Sequence, residues 1–492
     1  MTPAFPALHI EPQTMPTIGI VGAGVAGVTI AQRLARSGQC QLVLLDKSDS
    51  MVNGPPICHL HAGGNLYRDL PEQECLALLE QSIATLRFYP HCANIRPTVI
   101  AVPKEDPGSV ATLLPRLRTL QQRYAELVQQ DPANRVLGCP QSYFKVYRRE
   151  DIEALQGRSY AAQPEALDDW MIPVAQHLDL DRVQWPLILV QEYGLSVFRL
   201  AANATLALQR AKHCRLMLST QVTQIREQGG GWRLGYEQPG GGRGSVQVDY
   251  LINACGYRSG TLDDLAGLRR ERMVEFKAAY VTRWQEQTAH WPELIFHGQR
   301  GTPQGMAQFT PYADGYVQLH GMTDEITLFD QGLASSCDTS AQPRLAGDLQ
   351  RKLEQGWSDA MIEQRTNRAI QHIARFLPGF ALAEIGGKPL FGAQQIPGVD
   401  PELRAADVSF VGHNYARSEI VKASSALAVA DAIEQQLNRL GWLPPEATAG
   451  EALSENDPLA VESLACTLAQ ERDYPSALAK QTGLAEPRIY GL

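Results

Sequence analysis

An α/β fold, α+β taken over the whole chain, follows from three features of the sequence. A strand–turn–helix–strand unit occupies residues 17–46, an alternating strand pair lies at 305–321, and a small-residue helix pattern comes late, at 418–436. Their order implies a Rossmann-like domain interleaved with a second, mainly antiparallel-sheet domain.

The opening unit reads TIGIVGAGVAGVTIAQRLARSGQCQLVLLD. Thr17–Val21 is an apolar run, and Gly22-Ala23-Gly24-Val25-Ala26-Gly27 fits the spacing G-x-G-x-x-G. In such a turn Gly22 allows the tight bend, Gly24 lets backbone approach a pyrophosphate, and Gly27 lets helix close on strand. The helix start then offers free N–H groups and the positive end of its dipole to phosphates. Asp46 ends the next apolar run about 20 residues beyond the last glycine, where a carboxylate accepts from ribose hydroxyls. Strand, turn, helix, strand and acid arrive in order, so a dinucleotide site is expected.

Bulk properties narrow the classes. The 492 residues suffice for two to three domains with a large buried core. A net charge of −9, with no stretch concentrating Lys and Arg, argues against a nucleic-acid partner. Nine scattered cysteines without C-x-x-C fit a reducing compartment, and neither a metal site nor a disulfide framework is expected. The first residues lack a basic n-region and an apolar h-region. No run reaches the roughly 18 apolar residues that span a bilayer. A cytoplasmic chain is expected, with peripheral contact at the inner membrane face left open.

Further on, Leu216–Arg226 and Gly231–Tyr236 are strand-like, separated by Gln228-Gly229-Gly230. Val246–Ala254 follows the loop PGGGRG and runs into Cys255-Gly256. Val408–Val411 predicts a short strand, Gly412–Arg417 a loop, and Ser418–Gln436 a helix. Met273–Trp284 alternates as a half-buried strand should. Val110–Gln130 and Pro343–Phe376 read as helices, the second interrupted at Gly356, and Val461–Gln470 as a short amphipathic stretch.

Together these features resemble the D-amino-acid-oxidase-type FAD-dependent oxidoreductases. Their order is most similar to the L-2-hydroxyglutarate oxidase, malate:quinone oxidoreductase and glycerol-3-phosphate dehydrogenase branch. His61-Ala62-Gly63-Gly64…Tyr67 resembles that branch's flavin-side segment, and Gln191-Glu192-Tyr193-Gly194 resembles the stretch before its adenine-side helix. Asn253-Ala254-Cys255-Gly256 with Leu265-Ala266-Gly267, and Phe309-Thr310-Pro311…Asp314-Gly315…Val317, match two further runs. The resemblance implies FAD held by Gly22, Gly24, Val25, Ala26, Gly27, Asp46 and Lys47. It adds His61, Gly63, Val222, Ala254 and Gly256, then Glu419, Ile420 and Lys422 at the late helix. That helix would aim its N-terminus at the flavin pyrimidine, where its dipole stabilises negative charge on the reduced ring.

Departures from the family pattern bear on the substrate. Gln308 stands where the hydroxy-acid enzymes carry a histidine base, and an amide cannot accept a proton at neutral pH. Gln394 and Gln395 stand where a carboxylate-gripping arginine is expected. The remaining catalytic candidates are His61, as proton acceptor, structural residue or covalent flavin link, and Gln308, as an orienting amide. His413 and Arg417 join them in the loop before the late helix, Arg417 as an anchor for an anionic group or as a surface ion pair. His59, Tyr67, Tyr312 and His320 are weaker candidates.

The expected organisation is an FAD-binding domain from 15–105, 195–268 and 385–436. A substrate domain takes 106–194 and 269–384, and 437–492 form a C-terminal extension. The implied activity is hydride removal from a small polar substrate, a 2-hydroxy acid or related alcohol before an amine or amino acid. Electrons would pass to a quinone or to oxygen. A low-turnover flavin-binding protein is the alternative class.

Overall fold

The computed structural model describes residues 15–57, 60, 70–285, 290–401, 403, 407–412, 414–443 and 456–487. The chain begins with β1 (Thr17–Val21), α1 (Val25–Ala35) and β2 (Gln41–Leu45). After α2 (Glu72–Phe88) it crosses to a second sheet through β3 (Thr98–Ala101), α3 (Leu113–Gln130), β4 (Phe144–Tyr147) and β5 (Leu187–Val190). It returns by α4 (Val197–Arg210) and β6 (Cys214–Met217). A meander of β7 (Gln221–Gln228), β8 (Gly231–Gln238) and β9 (Gly242–Val248) precedes β10 (Tyr250–Asn253).

Next, α5 (Ser259–Ala266) leads to β11 (Arg272–Arg283), β12 (Glu293–Phe296), β13 (Ala307–Pro311), β14 (Tyr316–Gly321) and β15 (Leu333–Ser335). The helices α6 (Gly347–Gln355) and α7 (Asp359–Ala374) follow, parted at Gly356, whose φ is +81°. The chain then makes β16 (Leu390–Pro397), β17 (Asp407–Val411), β18 (Tyr415–Glu419), α8 (Ala426–Arg439) and α9 (Pro458–Glu471).

Among the described residues the first sheet has six strands in the order β17-β18-β10-β1-β2-β6. Its inner pairs are parallel, so the ends of β1 and β10 lie side by side, Val21 opposite Asn253. The second sheet has ten strands, with the path β15-β11-β14-β13-β12-β3-β5-β4, and both the two-residue strand Glu384–Ile385 and β16 also paired to β11. Most of its pairs are antiparallel, β12 with β3 being parallel.

This sheet has two chemically distinct faces. One register row carries Tyr280, Leu319, Phe309 and Leu294, all buried, and that face packs on α7 and the turn after it. Phe296 stacks on Phe376 at 4.2 Å there, and Phe309 meets Phe380 edge-on at 5.4 Å. Strand alternation puts the next residues on the opposite face, and these are polar: Gln318, Thr310, Glu293, His320 and Gln308.

Several sequence expectations are corrected. Leu216–Arg226 is two strands rather than one, because Ser219 turns the chain with φ +50°. Val246–Ala254 is likewise split at Asp249, whose carboxylate accepts from Thr17 N–H at 2.7 Å as the chain passes from meander to main sheet. The loop expected over Gly412–Arg417 gives way to β18, which pairs parallel with β10. The late helix therefore begins at Ala426, not Ser418. Strands β3 and β16, grouped with the FAD blocks by sequence position, hydrogen-bond within the ten-stranded sheet. The amphipathic face of α9 is covered: Val461, Ala465 and Ala469 are buried and α9 packs on α4.

A buried ionic cluster locks the two sheets together. Asp263 of α5 accepts from Arg272 at the start of β11, and from Arg417 Nε and the Tyr415 hydroxyl of β18 at 2.8 Å each. Arg272 also reaches Glu419 at 3.2 Å, and Arg270 approaches the other Glu419 oxygen at 2.9 Å. Asn253 Nδ2 at the end of β10 donates to Tyr415 Oη at 3.0 Å. Side chains of Asp263, Arg272, Arg417 and Glu419 are at most 1% exposed. Burial, with Asp263 beside it, pushes the Tyr415 phenol far above its usual range, so it remains a donor. Removing one partner of such a cluster strands a charge away from water. Arg417→Met should cost about 3–5 kcal/mol of stability in denaturant unfolding. An unchanged midpoint would show that the cluster holds nothing together.

Candidate active site

The glycine turn is built by contact as much as by conformation. Gly22 has φ +103°, and a Cβ there would sit 2.3 Å from the Ala254 carbonyl oxygen. A Cβ at Gly27 would lie 1.8 Å from the Gly22 carbonyl oxygen, so helix and turn touch through bare backbone. At Gly24 a Cβ would meet nothing within 4 Å: this glycine borders open space. The first turn of α1, Val25-Ala26-Gly27, has no side-chain cap and no acidic residue. Its N–H groups are therefore left to a ligand.

Asp46 closes the turn from the side. Its carboxylate accepts from Ala23 N–H at 2.6 Å and from Ser48 N–H at 2.7 Å, while Lys47 next to it is exposed. Ala254 N–H donates to Val21 C=O at 2.8 Å, bringing the second turn alongside the first. Gly256 there has φ +56° and open space at its Cβ position. Two glycine-edged turns, an uncapped helix start and an acid at the end of β2 fit the pyrophosphate and ribose of a dinucleotide. Val222 lies near the start of β7, where Thr220 N–H donates to Asp46 C=O at 2.7 Å, and its side chain packs in the cluster of Val21, Leu45 and Trp232.

The expected flavin end is divided. His61, Gly63 and His413 lie outside the described residues, as do His59 and Tyr67. Arg417 and Glu419, expected at substrate and cofactor, are instead committed to the buried ionic cluster, because both fall in strand β18. Ile420 offers its carbonyl to Gln395 Nε2 at 3.2 Å, and Val421 offers its own to Gln394 Nε2 at 2.8 Å. Ser259 Oγ donates to Gln395 Oε1 at 3.3 Å. The two glutamines thus clamp β16 to the second turn and to the segment before α8. Lys422 is half-buried at the start of the short turn Ala423–Ser425 that precedes α8.

The polar face of the large sheet supplies the other side. Gln308 is fully buried and donates from Nε2 to Glu293. The other Glu293 oxygen takes Arg96 Nη2 at 3.1 Å. His320 lies directly across from Gln308 in the register and is 9% exposed. Gln318, in the neighbouring row, accepts from the Tyr312 hydroxyl at 3.4 Å. Lys277, on β11, donates to Gln394 at 2.9 Å and pairs with Glu275 at 2.7 Å.

At the end of this face opens a cavity of about 490 Å³. Its walls include Arg96, Trp291, Tyr312, Tyr316 and Arg283; Tyr316 and Arg283 pair in register two residues beyond Gln318 and Val281. Residues Gln481–Gly483 complete it. Sequence reasoning passed over Glu293 and Arg96. The available signal was a single charge next to an apolar strand, which burial would force into partnership.

Two glycine-edged turns side by side at the end of a parallel sheet, joined to a large mainly antiparallel sheet, define a dinucleotide-binding protein with a second domain. The family model for FAD dependent oxidoreductases matches residues 17–417, and the chain belongs to that family. Glycine oxidase from Geobacillus kaustophilus superposes with TM-score 0.52 at 12% identity, over 86% of this chain and 95% of its own. L-amino acid deaminase from Proteus vulgaris gives 0.55 at 12%, over 92% and 97%. Glycerol-3-phosphate dehydrogenase from Bacillus halodurans, solved with FAD, gives 0.52 at 10%, over 94% and 74%. No curated protein sequence matches the chain. The protein is an FAD-dependent enzyme of this family.

Gly24 separates folding from cofactor binding. Its φ of −71° and ψ of −174° suit alanine, and the added methyl meets no atom of the described residues within 4 Å. Gly24→Ala should leave unfolding stability within about 0.5 kcal/mol. FAD affinity, read by calorimetric titration of apoprotein, should fall tenfold or more, about 1.4 kcal/mol. Unchanged affinity would move the phosphate site elsewhere.

Proposed function

We propose that the chain dehydrogenates a small 2-hydroxy acid or related alcohol at the polar face of the large sheet. The supporting observation is that His320 and Gln308 face each other in one register row, buried on the polar face. FAD, when bound, supplies the hydride acceptor for this chemistry. It would be held by the glycine turn Gly22–Gly27, Asp46 and the second turn Ala254–Gly256.

His320 takes the hydroxyl proton as the substrate's C–H is lost, leaving a carbonyl product. An alcohol needs such a base, because its O–H is a very weak acid; a neutral amine does not. Gln308 orients the substrate's oxygen through its amide, itself fixed by Glu293. The apolar packing behind the sheet keeps this row rigid and excludes water from that side. Electrons pass on to oxygen or a quinone. Among the described residues no helix is long and apolar enough to cross a membrane.

An anaerobic panel of hydroxy acids, amino acids and amines tests the substrate class by bleaching of the bound flavin. Hydroxy acids should bleach it and air should restore the colour. Bleaching by amines alone overturns the alcohol assignment, and no bleaching by any compound favours a low-turnover flavin binder. His320→Asn should slow reduction by about 10²–10⁴-fold at neutral pH. A rate within a few-fold of the parent would remove His320 as the base.

A further inference from the structure

The cavity at the end of the polar face contains buried hydrogen-bonding capacity that the protein leaves unused. Arg96 is 2% exposed and spends Nη2 on Glu293, yet its Nε and Nη1 have no partner among the described residues. Thr482 Oγ1, also buried, has none either, and both residues line the cavity. Unsatisfied buried donors on a charged group are costly unless a ligand completes them.

We propose that this cavity binds the carboxylate of the substrate, with Arg96 and Thr482 as its anchor. The inference rests on the reading that the row with His320 and Gln308, two rows back along the same face and linked to Arg96 through Glu293, does the chemistry. It also names where the anionic end goes now that glutamines hold the arginine position on β16. Charge balance favours a monoanion over a phosphate dianion. Among the described residues, Arg96 is offset by Glu293 and Lys480 by Asp314 at 2.6 Å, which leaves Arg283, stacked over Tyr316 at 5.6 Å, as the surplus cation. Trp170, Trp291 and Tyr312 put aromatic rings in the lining, so an acid with an aromatic arm fits best.

The wall formed by Gln481–Gly483 comes from beyond the family-matched residues, which end at 417. It is fixed in place by several bonds. Leu484 N–H donates to Ile95 C=O at 2.8 Å, and Gln481 reaches Arg199 and, at 3.2 Å, Ala93 C=O. Gly483, with φ +83°, lies so close to Ile95 that a Cβ would be 2.1 Å from its carbonyl oxygen. The C-terminal extension is thus part of the pocket, and specificity at this end belongs to this chain.

Calorimetric titration of the holoenzyme with phenylacetate and its neutral isostere phenylacetamide tests the assignment without any variant. Phenylacetate should bind at least about tenfold tighter, the worth of a charge-assisted hydrogen bond. Arg96→Gln should abolish that discrimination, and Thr482→Val should weaken phenylacetate by about threefold to tenfold while sparing the amide. Equal affinities for the two probes in the parent enzyme, or unchanged phenylacetate binding in a folded Arg96→Gln, overturn the proposal. If Arg96→Gln does not fold, the parent comparison and Thr482→Val decide. Intact discrimination without flavin reduction by hydroxy acids would count against the dehydrogenation reading and leave the pocket standing.

Discussion

The buried charges around Asp263 are the constraint on which the rest of the molecule depends. They join the end of β10, the helix α5, the start of β11 and the strand β18, so both sheets share one corner. From that corner β11 runs 12 residues, about 36 Å at the usual rise of a strand, and ends at Arg283 beside the cavity. The dinucleotide turns and the polar face therefore cannot shift independently. A fixed relation between cofactor and reacting groups is what catalysis by positioning needs. The cluster also explains why Arg417 and Glu419 are absent from the site: a low-dielectric interior tolerates such charges only in mutual contact.

The large sheet divides its labour by strand alternation. One face is aromatic and aliphatic, packed on α7, and gives rigidity. The other carries amides, a histidine, a carboxylate and, one row further, an arginine and two tyrosines. Glu293 connects these parts, holding Gln308 with one oxygen and Arg96 with the other. Its burial is tolerable because both oxygens are engaged. A carboxylate shared in this way links the cavity-lining Arg96 to the amide of Gln308.

How much of this could be read from the chain depended on whether a residue's role was local. The glycine turn, the acid at the end of β2 and the three-stranded meander were legible because their chemistry is set by near neighbours in sequence. The break at Gly356 was legible for the same reason. The strand pair at 307–321 followed from its period. What escaped was set by pairing across long separations. Residues 415–419 form a strand because β10 lies beside them, which displaced the helix start and turned Arg417 from candidate anchor into structural ion. Arg96 and Glu293, separated by nearly two hundred positions, become partners only when β3 and β12 align. The C-terminal residues 481–483 carry no motif; only the bond from Leu484 to Ile95 shows them to be a cavity wall.

The central claim is that the glycine turn and the polar face of the ten-stranded sheet enclose one and the same flavin. The visible spectrum and reduction potential of the bound cofactor in Gln308→Leu and in His320→Asn test it most directly. Both variants alter the sheet face and leave the turn untouched. Displaced flavin absorption bands and a changed potential in both are the expected result. Spectra and potentials identical to those of the parent in both variants would place the flavin away from that face and contradict the account.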